Sequence, residues 1–339
     1  MCINRVHSVF RDSVARAILC DSAFGVLSLL CMLCFSCRDA GTLMTRSSGH
    51  PYEVVIVADD TASINLVRAC LETPVEGLPQ EEPAFDVIVE RGASSNERAR
   101  ERESVREYQD ARAVVKVLLT PPRQTGAVAP VSISYERNVE AQPQIIVTLK
   151  AASVEQLRRE RQRWEASLRQ LLTSFEQRAT VALLRQHYNK QASDTLQQLF
   201  GVKLLVPPDM LSAHYEKDFV WLSNNATTGM QNICIFKGSD IDSVVGRYIR
   251  GETDEMHMCI VEQGAPKGMC LAVPPRESEV LCGLWEMEGD AMGGPFVARF
   301  ITDSLSRQTT TVMAFVYAPE TKKRNMVRKL EAVIFDASK

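Results

Sequence analysis

"YEVVIVADDTASINLVRACLETP" (52–74) sets two hydrophobic periods back to back. Its first nine residues form a nearly continuous β-branched run, the pattern of a strand covered on both faces. From Ala62 to Glu72 the apolar residues step as Ile64, Val67 and Leu71, which is helical spacing, and Pro74 ends the helix. A buried strand running straight into a helix opens a β-α-β unit. The pattern continues with "FDVIVER" (85–91) as a second strand, "NERARERESVREY" (96–108) as a polar helix or solvated loop, and "RAVVKVLLT" (112–120) as a third strand.

Strands near 131–135 and 144–149 lead to a long amphipathic helix expected over 153–188, with Leu157, Trp164, Leu168, Leu171, Phe175 and Ala179 on one stripe. Its "RRERQR" face (158–163) reads as solvated surface rather than a nucleic-acid patch. A shorter helix, 193–200, ends at Gly201, which suits a left-handed cap. Beyond it the pattern gives strands at 202–206, 218–223, 231–237, 257–263, 268–273, 280–288, 295–303 and 309–317, with helices at 240–250 and 320–334. The fold class is therefore α+β: two α/β subdomains, 51–190 and 191–339, the second with an antiparallel-rich sheet flanked by helices. "TTTVMAFVYAPETKKRNMVRKLEAVI" (309–334) repeats the strand, break and helix plan of "PQIIVTLKAASVEQLRRERQRW" (143–164), which suggests two related halves.

The chain has 339 residues, 45% hydrophobic and 24% charged, with a net charge of -3. That is a globular composition with room for two cores. No clustered Lys/Arg excess is available to neutralise phosphates, which argues against nucleic acid as a partner.

The chain starts differently. Arg5, Arg11 and Arg16 precede an uncharged run of 15 residues, Ser22 to Ser36. A helix needs roughly 20 to cross a bilayer, and extending this run backwards would bury Asp21. A secretory hydrophobic region has the observed length, so residues 1–36 read as a signal peptide. Cys31, Cys34 and Cys37 show CxxC spacing, but their apolar flanks disagree with a zinc or thioredoxin-like turn. Residues 38–50, small and polar, read as a tether. After Cys37 come Cys70, Cys234, Cys259, Cys270 and Cys282. An odd number cannot all pair; small buried hydrophobes are the preferred reading over a Cys259–Cys270 hairpin disulfide.

Residue chemistry yields few candidates. Asp59 and Asp60 end the first strand, where metal-binding carboxylates sit in receiver-like sheets, but no acceptor aspartate follows on the next strand, and an aspartate before Thr61 and a helix is an N-cap pattern. Glu286, Glu288 and Asp290 alternate, so on a strand they share one face opposite Trp285 and Met287; the row could take Ca²⁺ or form the wet face of a half-buried sheet. "MGGPF" (292–296) lacks the basic residue of a phosphate loop and reads as a turn or bulge. His187, His214 and His257 show no ligand spacing, and no GxSxG elbow occurs. Trp221 with Asn224 and Asn225, and Trp285, are candidates for an aromatic and amide partner surface, with core packing the alternative fate of both tryptophans. No catalytic constellation and no cofactor are read.

Several stretches carry a family resemblance: "SSGHPYEVVIVADD" (47–60), "GLPQEEPAFDV" (77–87), "RNVEAQPQIIVT" (137–148), "FVWLSNNA" (219–226), "GLWEMEGDAMGGPFVARF" (283–300) and "FVYAPETKKRNMVRKLEAVI" (315–334). Over about residues 48–335 the chain resembles an uncharacterised family of Gram-negative bacterial envelope lipoproteins with a single domain of unknown function. The junction Ser36-Cys37 resembles the lipoprotein cleavage site, departing from it at Cys34 and Phe35. The resemblance implies export, a diacylglyceryl thioether and an N-acyl chain (palmitate-like) on Cys37 in a 37–50 tether, and attachment to a membrane, most simply the outer one. Two acyl signals hold a protein without a span. The resemblance implies place and architecture but no chemistry; with no catalytic constellation in the residues, the expectation is a binding or assembly component with an envelope protein partner, the competing reading being a metal-assisted envelope hydrolase using Asp59/Asp60 or the Glu286/Glu288/Asp290 face.

Overall fold

A computed structural model describes residues 44–75, 77–91, 108–121, 129–253, 255–261 and 280–338. Cys37, the signal segment, the polar stretch 96–107 and the strand expected at 268–273 lie outside the described residues. The chain divides into Met1–Thr45 and a compact unit, Arg46–Lys339, that holds the α+β fold. Among the described residues no helix is long and apolar enough to cross a membrane.

The first sheet has five strands: β1 (Glu53–Ala58), β2 (Asp86–Arg91), β3 (Ala113–Leu119), β4 (Ser132–Arg137) and β5 (Ile145–Ala151). Their order is β2-β1-β3-β5-β4, parallel except for β4, which runs antiparallel to β5. Helix α1 (Thr61–Leu71) crosses from β1 to β2. Its start is fixed by Asp60, whose Oδ1 accepts from Ser63 N at 2.7 Å. Ile64, Val67, Cys70 and Leu71 then face Val54, Ile56, Val115 and Val147 of the sheet.

The long helix expected over 153–188 is two helices, α2 (Val154–Arg159) and α3 (Arg161–Gln186). They part at Glu160, whose carboxylate is taken by Val131 N (2.9 Å) and Gln156 Nε2 (2.9 Å). A side chain committed to the neighbouring loop breaks a helix that local propensity would have continued. Trp164, Leu168, Leu172 and Phe175 of α3 fill the core, with Leu171 and Ala179 at its margin. Helix α4 (Lys190–Phe200) starts at the Asn189 cap, earlier than its apolar spacing suggests, and closes at Gly201 in the left-handed conformation (φ 67°).

The second sheet has seven antiparallel strands: β6 (Ser212–Glu216), β7 (Phe219–Ser223), β8 (Met230–Lys237), β9 (His257–Ile260), β10 (Val280–Glu288), β11 (Gly293–Thr302) and β12 (Thr309–Tyr317), in the order β9-β10-β11-β12-β8-β7-β6. Helices α5 (Ile241–Tyr248) and α6 (Arg324–Asp336) complete the fold. One face packs on α4 and α6 through Val220, Ile233, Val312 and Ala314. The other carries Phe219, Phe236, Met258, Trp285, Phe296, Met313 and Phe315 beside Ile241 and Val245 of α5.

Three expectations are corrected here. Residues 202–206 form no strand: Val202, Leu204 and Val206 enter the core, but Lys203 makes only an isolated bridge to Ser338, and Pro207 and Pro208 follow. β6 had not been expected: its alternation, Ala213 and Tyr215 against Ser212, His214 and Glu216, is short and carries only two apolar residues, all of the strand being exposed. The strand-then-helix plan does recur as β5-α2 and β12-α6, yet one sheet is mainly parallel and the other antiparallel, so the likeness stops at that unit.

"MGGPF" is neither turn nor bulge, since Gly293, Gly294 and Pro295 begin β11. Gly294 and Pro295 pair with β10, while the ladder to β12 starts at Phe296, so the missing proline N–H interrupts no β11–β12 bond. A Cβ on Gly294 would lie 2.1 Å from Val316 O and 3.3 Å from the Trp285 indole nitrogen. Gly294→Ala is expected to destabilise by about 1–3 kcal/mol through overpacking, read as a lower denaturation midpoint at unchanged slope.

Candidate functional site

β8, "MQNICIFK", is apolar on the face shared by Cys234 and Phe236 apart from Asn232. Across the ladder Asn232 lies opposite Ser223 on β7 and Phe315 on β12. Trp221 on β7 reaches it diagonally, and its indole N–H donates to Asn232 Oδ1 at 2.9 Å. An indole nitrogen can only donate, so the amide must turn its oxygen to the ring. The amide NH₂ is thereby directed elsewhere, and its buried nitrogen finds no acceptor among the described residues.

Aromatic rings surround this pair. Phe315 lies 6.4 Å from Trp221 and 5.2 Å, edge-on, from Trp285, which in turn lies 6.4 Å from Tyr317. Trp221 and Tyr317 remain half-buried. Trp285 is 2% exposed and donates to Val316 O at 3.3 Å, so it belongs to the core and not to a surface. Asn224 shapes the adjoining loop, its Oδ1 accepting from Gln231 N (2.9 Å) and Ala226 N (3.3 Å), and Asn225 takes a left-handed conformation (φ 47°). Neither joins the indole–amide pair. Asn232 and Tyr317 were missed in the sequence, although an asparagine inside the apolar run of a strand was the available signal.

The acidic row is shorter than its alternation suggests. Glu286 and Glu288 share the outer face of β10, but the strand stops at Glu288 and Asp290 sits past the Gly289 turn, its Oδ1 taken by Ala291 N at 2.6 Å. On β9, His257 and Cys259 lie directly opposite Glu288 and Glu286. His257 Nε2 is 3.1 Å from Glu288 Oε2, and Cys259 Sγ is 3.9 Å from Glu286 Oε1. Partial burial, then the negative charges of Glu286, Asp242 and Glu288, hold the Cys259 thiol above its ordinary value and make it a poor nucleophile. Among the described residues no three His, Cys, Asp or Glu side chains come together so as to hold a metal ion.

Elsewhere the reactive residue types have structural partners. Asp60 caps α1 with both carboxylate oxygens engaged by Ser63, and Asp59 beside it is exposed. Burial, with the charge of Glu165, pushes the Cys70 thiol up to about 12, and burial alone raises Cys234 far above its ordinary value. Cys259 is free, so the Cys259–Cys270 hairpin bond is not formed, whereas Cys282 is disulfide-bonded and not the free buried thiol expected.

A second polar group, unforeseen in the sequence, joins residues some 240 positions apart. Helix α6 has no side-chain cap of its own at Lys323. Glu82 supplies one, its Oε1 and Oε2 accepting from Lys323 N (2.6 Å) and Arg324 N (3.0 Å). The Arg324 guanidinium donates to Pro83 O at 2.7 Å and pairs with Asp86. One turn on, Arg328 lies 4.2 Å over the Tyr52 ring and 5.3 Å over Phe85. These groups bind the segment before β2 to the start of α6.

Comparison with known families divides the chain. Residues 47–185 match a domain of unknown function (DUF8532) and residues 189–336 match another (DUF4837). Two family models thus cover the region for which the resemblance implied a single domain. No curated protein and no solved structure matches the chain.

Proposed function

We propose that the protein is a binding or assembly component of a bacterial cell envelope, held on a membrane by acyl chains on Cys37, and that it engages an envelope partner through the Trp221–Asn232–Tyr317 end of the second sheet. The observation carrying the binding role is the indole–amide pair. The fully buried Asn232 amide fixes the half-buried Trp221 ring, and half-buried Tyr317 lies on the same face of the sheet, so the two rings offer flat apolar area, a composition suited to recognition. The acids and thiols, by contrast, cap helices, pair with neighbours or carry raised pKa values, which favours binding over a hydrolytic reading.

The anchor is supported by the short apolar run Ser22–Ser36, by Ser36-Cys37 and by the small polar segment after it. Both family matches begin after Cys37, one at residue 47 and the other at residue 189. Processing before Cys37 would remove three Arg and two Asp, leaving 36 basic and 40 acidic side chains and a net charge of -4.

Cells expressing the protein are expected to incorporate labelled fatty acid into it, and Cys37→Ala is expected to abolish the label. An unlabelled protein still carrying residues 1–36 would sink the anchored reading. Capture from solubilised envelopes by wild type and by Trp221→Ala addresses the surface: equal recovery of the same partner would remove that end from the proposal.

A further inference from the structure

The two edges of the seven-stranded sheet are finished differently. At β9 the edge is closed: Met258 N donates to Ile249 O (3.0 Å), Ile260 N donates to Asp242 Oδ1 (2.8 Å), and Arg250 bridges His257. At β6 every residue is exposed. The turn Lys217–Asp218 makes Glu216 and Phe219 the closing hydrogen-bonded pair with β7. By the alternation of an antiparallel ladder, the N–H and C=O groups of Tyr215, Ala213 and Leu211 then point away from the sheet. Among the described residues no other backbone bond takes them.

The side chains at this edge are also unusual for an unprotected strand. Leu211 is 82% exposed and Tyr215 47%, and with Ala213 they fall on one face. Neither proline nor glycine interrupts "LSAHYE" (211–216), and its acid, Glu216, lies at the turn end. Open edges with apolar side chains template pairing with another strand.

We infer that β6 pairs antiparallel with β6 of a second copy about a two-fold axis at Ala213, joining two seven-stranded sheets into one. The sequence is self-complementary in that register. Leu211 lies across from Tyr215 of the second copy and Ala213 across from itself, so the exposed apolar groups cover each other on one face. On the other face Ser212 meets His214, donor to acceptor. At the ends Lys217 falls in register with Asp209 of the second copy, opposite in charge, although Asp209 already pairs with Lys329 of its own chain at 3.2 Å, so the contact rests on the strand itself. The contact is isologous and therefore closes at a dimer. It rests on β6 alone and stands whether or not the anchor reading does.

Sedimentation of the full chain over a concentration series tests it. Wild type is expected to dimerise, and Ala213→Pro, which removes an outward-pointing N–H without touching the β7 ladder, to weaken association at least about tenfold. Tyr215→Lys is expected to do the same through the side chains, covering the case in which the proline perturbs folding. Ala213→Cys should give a symmetric disulfide dimer absent from wild type, because paired Cα atoms about 5.5 Å apart suit the bond. A wild-type monomer up to about 100 µM, well above the dissociation constants of stable dimers, would overturn the proposal. So would a dimer that both substitutions leave unchanged.

Discussion

Arg324→Ala is expected to lower stability by about 2–3 kcal/mol, the scale of removing a buried arginine from charged hydrogen bonds when its carboxylate partner is 39% exposed. For a chain of this size that corresponds to a fall of roughly 3–5 °C in melting temperature. The Arg324 side chain is 2% exposed, so its loss vacates a packed space as well as a charge. Pro83 O loses its donor and Asp86 loses its close cation, while Lys322, 3.8 Å away and exposed, replaces it poorly. Glu82 keeps both backbone N–H groups, so Arg324→Ala should leave the α6 cap intact. Glu82→Ala removes that cap instead and should cost about 1–2 kcal/mol. Denaturant melts of the two variants separate the contributions. Equal losses would mean that cap and ion pair act as one unit.

The same group gives a sign for pH. Partial burial works to raise the Asp86 carboxyl, but the hydrogen bond and charge of Arg324, with Lys322, outweigh it and hold the group below its usual value. A carboxyl depressed in the folded state contributes stability above its unfolded pKa and loses it as pH falls through the folded one. The difference between wild type and Asp86→Asn should therefore be full at neutral pH, start to shrink as pH falls through about 4, the ordinary carboxylate range, and disappear only below the lower folded-state pKa.

Much of the fold was legible where local chemistry and tertiary packing agree. β1 and α1 are written in consecutive residues: a β-branched run, an aspartate cap, apolar steps of three and four, and a proline. Gly201 likewise marks its own helix end. The failures lie where distant partners decide. Glu160 breaks the long helix because Val131 N takes its carboxylate, and nothing in "RRERQR" announces that loop. Val202, Leu204 and Val206 alternate like a strand and are buried like one, but they lie against α4 and α6 without a ladder. At the site, Trp221 and the Asn224-Asn225 loop were found by residue type. Trp285 pointed inward because Gly294 leaves room for its ring, a complementarity between two strands that neither shows alone. The Glu82–Arg324 contact spans 242 positions and had no local signature.

Arg112→Ala should destabilise by about 3–5 kcal/mol, the largest loss expected for one polar substitution in the first sheet. Glu176 is 1% exposed on α3, and Arg112 just before β3 meets it bidentately, with Nε 2.9 Å from both oxygens and Nη2 2.8 Å from Oε2. The guanidinium also lies 5.7 Å over the Phe175 ring. Two charges in that setting attract strongly but have both given up water, so the pair as a whole contributes little against an apolar replacement. Removing Arg112 alone is different, because it strands a carboxylate that the packed α3 face cannot solvate. The double variant Arg112→Met with Glu176→Leu should therefore recover most of the loss, and the coupling in a double-mutant cycle should reach roughly 2–3 kcal/mol. If the double variant is as unstable as the two losses added together, the coupling is zero, the two side chains act independently and the desolvation argument fails at this position.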